Sequence, residues 1–149
     1  MGEFDVEVVT RRLTMMRKLL GELQQLPVSP ERLVEDAIMR YAVERMLTLL
    51  VDLAVGINTH FAATLGATTP STVRESFTVM ADLDVLDRDL VHQLVRSVGM
   101  RNILIHQYTD VDLGMVAAAV EHACRDYLDY VTSVANHLKG AVPGRDART

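Results

Sequence analysis

The sequence predicts an all-α protein, an up-and-down antiparallel bundle of four or five helices. Apolar residues recur about every 3.6 positions in several long segments, and no stretch shows the period of two that a half-buried strand requires. Glycine and proline, the residues that break helices, number only eight and four in 149 residues. The breaker clusters are compact, so the connections are short and consecutive helices pack antiparallel.

The first helix spans Val6 to Leu26, with Val9, Leu13, Met16, Leu19 or Leu20, and Leu23 on one face, and Pro27 closes it. Ser29-Pro30-Glu31 reads as an N-cap, a proline at the first helical position and an acid on the positive end of the dipole. A second helix then runs to about Leu65, where Gly66-Ala67-Thr68-Thr69-Pro70 breaks it. Its apolar stripe (Val34, Ile38, Tyr41, Met46, Leu49, Leu50, Leu53, Ile57, Phe61) is wide enough to suggest burial on two sides, inside the bundle and against another chain. Ser71 or Thr72 caps a shorter helix to about Leu83, with Phe77 and Met80 inward. Asp84 or Asp87 opens the next, through Leu90, Leu94, Val98, Arg101 and Ile105. The last helix runs from about Asp112 to Leu138, and Gly140 ends it. Residues 1–140 are expected to form one domain and 141–149 a frayed tail.

A hydrophobic content of 49% excludes a disordered tail protein and supplies a core without a disulfide or metal staple. The single cysteine, Cys124, excludes a disulfide framework and a cysteine-based zinc cage, and suits a reducing cytoplasm. The N-terminus carries Glu3, Asp5 and Glu7 and no long apolar run, so it is not a secretory signal. The most apolar stretch, Met46 to Ile57, is shorter than a bilayer span and contains Asp52, which points to a buried helix and no membrane partner.

The net charge of −5 argues against a broad nucleic-acid surface, as does the scarcity of lysine beside arginine. Its distribution qualifies that reading. No acid lies between Asp89 and Asp110, where Arg96, Arg101, His92 and His106 occur. A second acid-free window, Val8 to Gly21, carries Arg11, Arg12, Arg17 and Lys18. A narrow cationic groove is therefore expected, with Arg96 and Arg101 binding phosphate and help from Arg11, Arg12 or Lys18.

The methionines mostly sit on apolar stripes and read as core filler, and Cys124 reads as a small core residue. Asp89 with His92, and His122 with Asp126, share helix faces as metal-binding pairs do. No Glu-x-x-His or His-Glu-x-x-His accompanies them, so no metal and no cofactor is expected. Phosphate-binding glycine loops and nucleophile elbows are absent from the sequence.

The segment Val98 to Tyr108 gathers a guanidinium, an amide, an imidazole and a phenol: Arg101, Asn102, His106 and Tyr108. On a continuous helix Asn102 and His106 share a face, while Arg101 and His106 lie about 140° apart. Either the site forms at a helix end, or two copies of the segment assemble it. These residue types suit metal-free RNA cleavage: histidine serves as base or acid near neutrality, and arginine binds a phosphorane bidentately. A symmetric dimer would supply a second His106 and a second Arg101. On spacing alone, Arg-x4-His being a short pattern, Arg101 and His106 read as capping and solvating a helix end near Asp110 and Asp112.

Arg101-Asn102-Ile103-Leu104-Ile105-His106-Gln107-Tyr108 resembles the Arg-x4-His-x-Tyr signature of the HepT-type HEPN toxins (DUF86 family). The likeness extends to Tyr41-Ala42-Val43-Glu44-Arg45, to Pro70 through Arg74-Glu75-Ser76-Phe77, and to Val111-Asp112, across roughly residues 6 to 138. The resemblance implies a HEPN-like helical bundle and a metal-independent endoribonuclease toxin of a type VII-like toxin–antitoxin pair. It implies Arg101 and His106 as the catalytic pair across a homodimer, with Asn102 in support. It further implies an MntA-like nucleotidyltransferase antitoxin that silences the toxin by attaching AMP to Tyr108, and higher assemblies with that antitoxin. Two other readings fit the same residues: a non-enzymatic scaffold for such a nucleotidyltransferase, and a module in which Arg101 and a phenol hold a nucleotide.

Overall fold

Every helix but α5 starts where a short polar side chain satisfies free N–H groups of its first turn. Asp5 accepts from the backbone N–H of Glu7 and Val8 (3.0 and 3.2 Å) and opens α1, Val6–Gln25. Ser29 accepts from Arg32 N–H at 3.1 Å and opens α2, Pro30–Glu35. Asp36 accepts from Met39 N–H at 3.0 Å and opens α3, Ala37–Leu65. Thr72 accepts from Glu75 N–H at 3.1 Å and opens α4, Val73–Asp82. α5, Arg88–His106, begins after Asp87, and α6, Leu113–Gly140, after Asp112, whose carboxylate accepts from Gly114 and Met115 N–H. The computed structural model describes residues 2–66, 68–107 and 109–140, and no strand occurs among them. The expected tail, 141–149, lies outside the described residues.

The helix expected from Ser29 to Leu65 is two helices. Asp36 ends α2 through its own N–H on the Arg32 carbonyl (2.9 Å) and starts α3 through its side chain. Aspartate competes with the helix backbone for its own hydrogen bonds, so it makes a joint without glycine or proline. The joint leaves Val34, Ile38 and Tyr41 exposed, at 67%, 78% and 57%, although the sequence places them on an apolar stripe. The methionine expectation also divides: Met16, Met39 and Met80 are core, whereas Met15 and Met115 are exposed.

The four long helices, α1, α3, α5 and α6, run up and down. Arg12 lies over Gly56, Asp52 meets Arg101, and Ser97 meets Tyr127, so α1 and α3, α3 and α5, and α5 and α6 are antiparallel pairs. Their apolar faces share one core that includes Leu13, Leu50, Ile57, Phe61, Phe77 and Leu94. Among the described residues α3 alone is long and apolar enough to cross a membrane, and half of that window is buried inside the bundle. Fastening the core is a closed polar network. Tyr130 Oη donates towards Asn58 Oδ1 (2.7 Å) and the Ala54 carbonyl (3.1 Å), and Asn58 Nδ2 donates to Ser76 Oγ (3.3 Å). These bonds tie α6, α3 and α4 together without leaving a buried polar side-chain atom unpartnered among the described residues.

Candidate functional site

The α5 helix is continuous from Arg88 to His106, so the motif is read from a regular helix as far as the imidazole. Arg101 points towards α3, and its Nε donates to Asp52 Oδ1 at 2.9 Å. The two side chains are 25% and 41% exposed, which makes this a pair at the protein surface with one edge of the guanidinium committed. Arg101 Nη1 makes a long contact (3.4 Å) with Asn102 Oδ1. The rest of the guanidinium fork keeps its donors for a ligand.

His106 is the last helical residue and is exposed. The helix is regular through the motif, so the separation of about 140° between Arg101 and His106 persists. α5 ends at His106, with Gln107 as its C-cap, so the chain leaves the helix immediately after the imidazole. Tyr108 lies outside the described residues; its neighbours Gln107 and Thr109 are exposed. Arg96 is exposed and borders a cavity of about 270 Å³ between α3, α5 and α6. Arg101 forms another part of that wall, and Leu47, Val51, Met100 and Ala119 supply its apolar lining.

The other candidates have ordinary partners. Arg125 bridges His122 Nδ1 (3.2 Å) and Asp126 Oδ1 (3.1 Å), so that pair is held by a cation. Cys124 is half-buried, and burial pushes its thiol up from the usual range, away from a reactive thiolate. Glu44 and Arg45 form an ion pair neither with Arg101 nor with each other among the described residues. Glu44 instead lines a crevice of about 400 Å³ with Tyr41, Gln107 and Asp110, where the start of α3 meets the α5–α6 connection.

Asp52 is the site residue that sequence reasoning missed. The available signal was a carboxylate in the most apolar stretch of the chain, read only as evidence against a membrane span. A charge there needs a partner, and Arg101 is that partner.

The family model described as "Ribonuclease HepT-like" matches residues 16–134. The chain belongs to this HepT-like family. It is 27% identical over 139 residues to the "tRNA nuclease HepT" of Aphanizomenon flos-aquae, covering 93% of this chain and 95% of that protein. To the "mRNA nuclease HepT" of Shewanella oneidensis it is 22% identical over 125 residues, covering 84% and 94% respectively. The fold is shared with the tri-AMPylated Shewanella oneidensis HEPN toxin, solved in complex with its MNT antitoxin. That likeness has a TM-score of 0.80 at 20% identity, over 89% of this chain and 99% of the other. The all-helical HEPN-type fold expected of this HepT-like chain is therefore the one observed.

Proposed function

We propose that this HepT-like protein is a metal-independent endoribonuclease, the toxin of a toxin–antitoxin pair. The observation that carries the reading is the Arg101 guanidinium, anchored on one edge by Asp52 and open on the other, on the same continuous helix as an exposed histidine. Both named relatives above are nucleases. Cleavage proceeds by attack of the ribose 2′-hydroxyl on the adjacent phosphorus. One imidazole takes the hydroxyl proton, the P–O5′ bond breaks as the new P–O2′ bond forms, and a second imidazole protonates the departing 5′-oxygen. The products are a 2′,3′-cyclic phosphate and a free 5′-hydroxyl. Arg101 neutralises the charge that accumulates on the phosphorane, and Asn102 helps to fix its orientation. Arg96 contacts a phosphate further along the strand.

One protomer holds one motif histidine, set on a different face from its arginine, so the active unit is a homodimer in which each copy contributes Arg101 and His106. The exposed Val34, Ile38 and Tyr41 provide apolar area for contacts between chains. The antitoxin is a nucleotidyltransferase of the MNT type that attaches AMP to Tyr108. This adds negative charge and bulk beside the phosphate-binding arginine and prevents RNA from binding. The AMPylated state of the solved Shewanella toxin supports that mode of silencing. The cytoplasm, where RNA and nucleotide substrates coexist, is the compartment of action.

The test is cleavage of total RNA in excess EDTA by protein whose intact mass shows no adduct, alongside His106→Ala. Cutting by the wild type alone, with cyclic phosphate ends, supports the reading. Equal cutting by both proteins, or loss of all cutting in EDTA, refutes it.

A further inference from the structure

We infer that Arg12 forms a second phosphate subsite, one helical turn beyond Arg101 on the outer face of α3, which holds the RNA backbone next to the cleaved linkage. This rests on the ribonuclease reading above.

Gly56 is the key to the geometry. It lies in the middle of α3, where glycine is unfavourable and no turn requires it. The Arg12 guanidinium reaches across from α1 and occupies the space where a side chain would be. A Cβ at position 56 would stand 2.8 Å from Arg12 Cζ and 3.4 Å from its Nε. Asp52 and Gly56 are four residues apart and share one face of α3, so the guanidiniums of Arg101 and Arg12 occupy adjacent turns, about 6 Å apart along the axis. That rise is close to the separation of successive phosphates on an extended strand. Because α3 and α5 are antiparallel, His106, Arg101 and Arg12 follow one another in height along α3, with His106 turned to another side of α5. A backbone bound at the catalytic pair would meet Arg12 next.

Arg12 is also free to take an anion. None of the ion pairs among the described residues uses it, and the nearest acid on this face, Asp52, already accepts from Arg101. A partly buried guanidinium without a counter-ion keeps its donors for an incoming phosphate. The neighbouring cations differ. Arg11 is paired with Glu7 on the exposed side of α1, and Arg17 and Lys18 are exposed further along that helix. Arg12, by contrast, is half-buried and lies against Gly56 of α3.

The experiment measures binding of a single-stranded RNA oligonucleotide to His106→Ala protein by fluorescence anisotropy over a series of salt concentrations. Removing one phosphate contact flattens the plot of log Kd against log salt by about 0.7. That flattening is expected in Arg12→Ala and in Gly56→Ala, whose new methyl group displaces the guanidinium. Arg12→Lys should retain most of the slope, and Arg11→Ala all of it. Melting temperature distinguishes a mere packing role, because Gly56→Ala improves helix propensity and should not melt earlier than the parent. An unchanged slope in Arg12→Ala overturns the inference while leaving the ribonuclease reading intact. Absence of RNA binding by the His106→Ala parent overturns both.

Discussion

Two polar side chains less than two turns apart on α3 have opposite roles. Asn58 is fully buried, and its amide is used on both sides, by Tyr130 and by Ser76. Asp52 is half-exposed and pairs with an arginine that retains free donors. In the first region every hydrogen bond ends inside the protein, so its value is cohesion between helices. In the second the hydrogen bonding stops short of completion at the surface, so its value is in holding a charge in place for something else. The difference comes from where each position falls around the helix: Asn58 faces α4 and α6, whereas Asp52 faces the edge where α5 meets solvent.

The sharpest way to break this contrast is to remove the groups assigned to chemistry. His106→Ala should lower single-turnover RNA cleavage by about 10² to 10⁴-fold, and Arg101→Ala by about 10² to 10³-fold, with little change in urea midpoint. A large drop in midpoint for either would place the motif with the structural network instead. In the closed region, Asn58→Leu removes an amide on which Tyr130 and Ser76 both rely. It should cost about 1–3 kcal/mol in equilibrium unfolding while leaving cleavage per folded molecule unchanged.

A smaller effect separates the regions from the other side. Asp52→Asn preserves shape but removes the charge that anchors Arg101. Cleavage should fall about tenfold, equivalent to about 1.4 kcal/mol of lost positioning. Stability should change by less than about 1 kcal/mol, because the pair is partly exposed and screened. Equal losses in both readouts would erase the distinction.

The closed region should also show itself in alkali. Burial pushes the Tyr127 phenol well up from the ordinary value of 10.0, against the opposing hydrogen bond with Ser97, and Tyr130 is shifted the same way. A folded-state value raised in this sense means that the neutral phenol is the form the fold favours. Its contribution is complete below the ordinary tyrosine value and is lost as pH rises from there through the folded value. Phenolate absorbance and unfolding should therefore rise together above pH 10.0 for these two residues. Titration of Tyr127 near its ordinary value in folded protein would contradict the burial.

Much of the bundle was legible in the sequence because it depends on local pattern. The periodic stripes of α1, α5 and α6 state which face is buried, and Ser29, Thr72 and Asp112 state where helices begin. The break at Asp36 was not legible, since Glu35-Asp36 contains no glycine or proline and only the orientation of the joined helices shows which hydrogen bonds aspartate makes. In the site, Arg101, Asn102 and His106 could be singled out because they are near in sequence. Their surroundings could not. Asp52 and Arg101 are 49 residues apart, and no local spacing connects them.

By itself, then, the sequence determined the all-helical class, the inward faces of α1, α5 and α6, the helix starts at Ser29, Thr72 and Asp112, and the compact Arg-Asn-His segment. All of these follow from interactions within a few turns, where the helix repeat converts order in the chain into position in space. Only the tertiary structure decided which carboxylate holds Arg101, that Arg12 lies in the space left by Gly56, and that Asn58 closes a network while Asp52 leaves one open. Those outcomes depend on which helix faces which and at what height. That is set by the packing of the whole core rather than by any segment of the chain.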